Sequence, residues 1–195
     1  MTDHDAFAER GHALEEEYFR KKDRELVERM RQAAAAATAR AEMERSTGLS
    51  DPVLLQELQE LGFTPATVNL LPLVPVLEVA WAEGGITAAE RELIEQLARS
   101  RGIDEASPAG RQLREWMASR PDTAVFQRAG RLIAAMLDSG SGETARGLTT
   151  NDLVAYCEQI AGASGGIFGT RLRSVTGEER ALLTRIASEL KRRQP

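Results

Sequence analysis

An all-α fold is predicted by three observations. First, the stretch E-G-G-I-T-A-A-E-R-E-L-I-E-Q-L-A at 83–98 returns, altered, as V-T-G-E-E-R-A-L-L-T-R-I-A at 175–187. A shift of about 89 positions places Ile86 on Val175, Thr87 on Thr176, Glu90 on Glu179 and Arg91 on Arg180, so the two stretches read as copies of one helical unit. Second, aromatic residues make up only 5% of the chain, so the core must come from Leu, Val, Ile and Ala, and no run reads as a strand. Third, residues 5–45 hold no Gly or Pro after Gly11 and alternate acid and base, as a long solvated helix does. The expected architecture is a compact bundle of about seven helices in two pseudo-repeats, preceded by a long charged N-terminal helix. The domains implied are a helical arm over 1–47 and a helical domain over 48–195.

The arm comes first in the chain. Its apolar residues, among them Phe7, Leu14, Tyr18, Phe19, Leu26, Val27 and Met30, make a narrow stripe, thinner than a core-facing helix carries. An arm of this kind stays solvated, lays its stripe on a protein partner or on a second copy of itself, or docks on its own domain. The residues expected to make that contact are Phe7, Arg10, Leu14, Tyr18 and Phe19. Ser46 to Ser50 form the linker. Ser50 or Asp51, followed by Pro52, starts a short helix that ends at Gly62. A second short helix is expected near 65–71 and a buried one from Pro72 to Ala82, with Trp81 in the core. Pro72 and Pro75 interrupt the apolar run between them.

The first copy of the repeat follows. Thr87 and Glu90, like Thr176 and Glu179, have the spacing of a capping box, in which hydroxyl and carboxylate satisfy free backbone N–H groups reciprocally. Ser107-Pro108 starts the next helix, with Leu113, Trp116 and Met117 inward, and Asp122 the one after it. Residues 139–147 are expected to be a flexible loop. Thr149, with Asp152 at the capping-box position, opens a helix carrying Cys157. The glycine-rich stretch 162–169 follows a helix and lacks the Gly-Lys-Ser/Thr ending of a phosphate loop, so it reads as an interhelix connection.

Composition narrows the function classes. Twenty-five Lys and Arg against 30 Asp and Glu give a net charge of −5, with no basic face, which argues against nucleic-acid binding. No apolar run approaches the ~20 residues of a membrane span, the start M-T-D-H-D is no signal peptide, and one cysteine suits a reducing compartment, so a cytoplasmic protein is expected. His4 and His12, the only two histidines, both lie in the arm, which leaves the domain without the parts for Ser-His-Asp, Cys-His or His-metal chemistry. Cys157 sits on an apolar face beside Val154 and Ile160 and reads as an inert core thiol. A non-enzyme without a resident cofactor is expected. Glu83 and Glu90, read as the end of a calcium loop, would place Val79 and Trp81 where hard-cation ligands belong, so a divalent site there would have to be of a looser kind.

Two resemblances add to this reading. The segment L-P-L-V-P-V-L-E-V-A-W-A-E-G-G-I-T-A-A-E-R resembles the tellurite-resistance TerB-like family, whose hallmark is an apolar helix ending in A-D-G-x-I before a Glu; here Glu83 stands in place of the Asp. The segment A-G-A-S-G-G-I-F-G-T-R-L-R-S-V-T-G-E-E-R-A-L-L is similar to the same family, so the likeness spans about residues 50–193. It implies an all-helical domain of two pseudo-repeats in a stress-related setting, and metal binding at Glu83 and Glu90 would follow the family's description. In the arm, Phe7, Arg10, Ala13, Glu15 and Tyr18 have the spacing of the opening motif of the zeta-type inhibitor of bacterial F-type ATP synthases. That likeness implies an arm that inserts into an ATPase and restrains it. The leading expectation is a non-catalytic adaptor whose arm binds a protein partner; an ATPase inhibitor and a metal-responsive module stand as alternatives.

Overall fold

The fold is all-α over the described residues. The computed structural model describes residues 3–82, 84–163, 181 and 184–188, with side chains from residue 16 onward. It contains α1 (Asp3–Thr47), α2 (Pro52–Glu60), a 3-10 helix (Val68–Leu73), α3 (Val74–Ala80), α4 (Ala88–Ser100), α5 (Pro108–Ala118), α6 (Thr123–Ser139) and α7 (Thr150–Ala163), and no strand among the described residues. Residues 184–188 are also helical. The chain divides into two units, Met1–Ala41 and Glu42–Pro195.

The starts of the helices follow from the residues expected to cap them. Asp51 accepts a 2.8 Å bond from the Val53 N–H, and Pro52 fills the first turn, where its missing donor costs nothing. Ser107 accepts from Gly110, with Pro108 in the first turn, and Asp122 from Ala124. Thr149 and Asp152 bond reciprocally, and the Thr149 hydroxyl and backbone N–H hold the Asp152 carboxyl below the usual carboxylate range. Gly62 and Gly102, both at positive φ, follow the ends of α2 and α4.

The second unit is built around α3. In V-P-V-L-E-V-A only Glu78 is polar, and the other six residues are buried. A helix that is apolar all round must be enclosed. The helix lies against α4, α6 and α7, and Ile94, Phe126, Leu132, Ile133, Met136, Leu153 and Ile160 share its core. Glu78, on the less buried side, pairs with Arg185 and so ties residues 184–188 to α3. Pro72 falls inside the 3-10 helix, which runs straight into α3, instead of starting a helix as the sequence suggests. Pro75 sits in the first turn of α3, the one place where an α-helix tolerates it. Trp81 and Trp116 are half-buried at the core's edge, not inside it. The Trp81 indole N–H donates to the Trp116 carbonyl at 2.9 Å, and the Trp116 ring stands edge-on to Phe63. An indole needs an acceptor for its N–H, and a rim position supplies one.

Two departures lie at the start of this unit. It begins at Glu42, six residues before the expected boundary at residue 48, because Met43 and Thr47 have no exposed surface and belong to the core. The Thr47 hydroxyl donates to the Met43 carbonyl and accepts from the Leu49 N–H, so the last turn of α1 is fixed from within. The loop after α6, expected to be flexible, is pinned against this turn. The Thr144 N–H donates to the Ser46 carbonyl at 2.8 Å, and Arg101 donates to the Thr144 carbonyl at 2.7 Å. Gly142 approaches so closely that a Cβ there would lie 2.2 Å from the Thr47 carbonyl carbon. The second copy of the repeat, with Val175, Thr176 and Glu179, lies outside the described residues except at its end. There Ile186 is buried, one shift from the partly buried Leu97.

The fragment 42–195 is expected to unfold cooperatively in urea. Met43→Ala should lower its stability by about 2–5 kcal/mol, as a large-to-small change in a closed core does. A shift in the midpoint worth less than ~0.5 kcal/mol would place Met43 outside the core.

Candidate functional site

The N-terminal unit carries its apolar residues in the open. Among residues 16–41, Tyr18, Phe19, Leu26, Val27 and Met30 are 46–64% exposed. The Tyr18 and Phe19 rings stand edge-on with centroids 5.9 Å apart, and the Lys22 ammonium lies 5.7 Å from the Tyr18 ring centre. Around them the surface is laced along the helix: Arg20 with Glu16 at 3.0 Å, Lys22 with Glu25 at 3.5 Å, Gln32 with Glu28 at 3.0 Å. Pairs of this kind support an exposed helix by only a few tenths of a kcal/mol each. Of the five residues expected to make the contact, Tyr18 and Phe19 are neighbours on this open surface. Phe7, Arg10 and Leu14 fall on backbone that is helical, but their side chains lie outside the described residues.

The acidic pair behaves differently. Glu83 lies outside the described residues. Glu90 is 3% exposed, and its Oε2 takes the Thr87 N–H at 2.7 Å and the Thr87 hydroxyl at 2.8 Å, while Thr87 Oγ1 accepts from the Glu90 N–H at 3.3 Å. The capping box of α4 is therefore complete, and it engages Glu90 Oε2. Thr176 and Glu179 lie outside the described residues. Glu78, another carboxylate near the start of α4 in sequence, faces Arg185. Among the described residues no three His, Cys, Asp or Glu side chains gather as a metal site would require.

Cys157 is enclosed, and burial first, then the charges of Glu78 and Glu158, pushes its thiol up to about 12. A thiol so poorly ionised is a weak nucleophile at neutral pH.

Two polar surfaces of the second unit have no counterpart in the sequence reading. Glu57, 7% exposed, pairs with Arg131 and lies 4.0 Å from Arg128, joining α2 to α6. The sequence signal was there: in L-L-Q-E-L, Glu57 adjoins Leu58 and stands two residues after Leu55, and such a buried carboxylate needs a cationic partner. A cleft of about 320 Å³ is lined by Ser46, Pro65, Asn69, Arg101, Glu143 and Thr144. The Asn69 Oδ1 is closed off from solvent there, without a hydrogen-bond partner among the described residues. This cleft gathers segments far apart in the chain, and no local pattern announces it.

No helix among the described residues is long and apolar enough to cross a membrane. Comparisons with protein-family models, curated proteins and solved structures give no match.

Replacing Thr87 with Ala removes the hydroxyl that accepts from the Glu90 N–H and donates to Glu90 Oε2, leaves the backbone half of the cap, and should cost about 0.5–2 kcal/mol, read from thermal melting. Millimolar calcium, magnesium, manganese or zinc should leave the melting temperature of the native chain unchanged. A ligand that binds only the folded state must raise it, so an upward shift would place a cation site in this molecule.

Proposed function

We propose that this chain is a non-catalytic interaction module of the TerB-like kind, an adaptor in which residues 16–41 are the docking element. One observation carries the reading: two aromatic and three aliphatic side chains stand open on a single helix. Scattered exposed apolar residues are ordinary. Five within 13 positions of one helix, from Tyr18 to Met30, are a surface suited to a partner's apolar groove. The second unit supports the non-catalytic part of the proposal. Its buried carboxylates Glu57 and Glu90 are occupied by Arg131 and by Thr87, and its only cysteine is held as a neutral thiol. The TerB-like resemblance is what points to a stress-related assembly.

The test is affinity capture from native lysate, read by mass spectrometry, with the full chain and with a variant carrying Leu26→Asp and Met30→Asp. Both substitutions lie outside the core of residues 42–195, so the variant should melt as the unchanged chain does. Partners held by the full chain and lost by the variant are the expected result. The same partners on both baits would move the function onto the helical domain.

A further inference from the structure

The open face of α1 has a regular spacing that the aromatic pair alone does not explain. Phe19, Leu26, Met30, Ala33 and Ala37 follow each other at steps of seven, four, three and four. Asp23 fills the one gap, and Glu16 and Arg40 continue the pattern at either end. All eight side chains are exposed. Alternating steps of three and four put them on one seam of a helix, the a and d positions of a coiled coil, sustained for about 36 Å at about 1.5 Å per residue.

What covers this seam is written in its asymmetry. The bulky residues occupy its first half and the alanines its second. We propose that two copies of the chain pair through residues 16–40 as an antiparallel coiled coil, centred on Glu28. In that register each of the eight seam residues meets the one whose number makes 56 with its own. Phe19 then packs on Ala37 of the other copy, and Leu26 on Met30. Glu16 meets Arg40 at both ends, one acid to one base. Asp23 faces Ala33, and the two Asp23 carboxylates stand about 15 Å apart along the axis, beyond the screening length at physiological salt. A parallel pair would instead set Phe19 on Phe19 and leave gaps between the alanines. It would also bring Glu16, Asp23 and Arg40 each against its own like charge, which destabilises a seam. The row is its own complement only when reversed. One like-charge meeting remains, Arg29 with Arg29 at the flank near the centre, where solvent and salt weaken it. The Glu16–Arg20 pair does not hold Glu16 back, because both side chains are more than 70% exposed and such a pair is worth little.

The inference rests on the reading of this face as the docking element and names its occupant. It is tested on the full-length chain by sedimentation equilibrium across micromolar to low-millimolar concentrations. A concentration-dependent dimer is expected, lost in the variant carrying Leu26→Asp and Met30→Asp. Glu16→Arg alone and Arg40→Glu alone should each weaken the dimer roughly three- to thirtyfold, since two pairs per dimer turn repulsive, and the double exchange should restore it. Orientation is read by mixing a Phe19→Cys variant with an Ala37→Cys variant under mild oxidation. The enclosed, protonated Cys157 stays silent in this assay. A disulfide between positions 19 and 37 of different copies is expected. Disulfides joining 19 to 19 or 37 to 37 in preference, a double exchange that fails to restore the dimer, or a monomer at every concentration would each overturn the proposal. A monomer that still captures another protein through Leu26 and Met30 would overturn the self-pairing and leave the docking reading standing.

Discussion

The second unit depends on enclosing one short helix. Val74–Ala80 has no solvated face to offer, so α4, α6 and α7 must each turn an apolar stripe toward it. Burying Val, Leu or Phe side chains stabilises by about 1.5–3 kcal/mol apiece, which makes this shared core the largest favourable contribution in the unit. Four polar groups at its edge are held in satisfied form. Glu90 is closed into its own helix cap, Thr47 into the last turn of α1, Glu57 against Arg131 and Glu78 against Arg185. A buried carboxylate without such a partner would cost several kcal/mol. The positions of α2 and of residues 184–188 are therefore tied to where α6 and α3 can supply or receive a charge.

How much of this was legible depends on the range of each interaction. The caps at Asp51, Thr87, Ser107, Asp122 and Thr149 are written in three or four adjacent residues, and the structure has each of them. The apolar run at 70–81 announces a buried element, and only the handover from 3-10 to α-helix around Pro72 and Pro75 escapes it. Met43 was not legible. It stands in A-R-A-E-M-E-R-S-T, a charged stretch that continues the pattern of the preceding turns, and nothing local separates it from the exposed Met30. The contact of Gly142 with Thr47 is equally silent, because a glycine chosen for close approach looks like a glycine in any loop. The cleft at Asn69 and Arg101 needs segments from residue 46 to residue 144 to be placed first.

The open face of α1 was visible as a stripe from the beginning, and what the structure adds is that its residues from 16 to 41 are exposed with few exceptions. Helix formation alone does not account for them. The backbone of this segment is already favoured by the alanine block at 33–37 and by pairs such as Arg20 with Glu16 and Gln32 with Glu28. Phe, Tyr and Val are poorer helix formers than Ala, Glu or Lys, by up to about 0.7 kcal/mol each, because the helix restricts their side-chain rotation. Tyr18, Phe19 and Val27 thus weaken the isolated helix in which they stand, and as exposed groups they gain nothing from burial. A contact that removes such side chains from water adds a burial gain that outweighs the propensity cost. That is the physical reason to look for function in this face, and the placing of its bulky residues in one half and its small residues in the other makes a second, reversed copy of the chain the first partner to test.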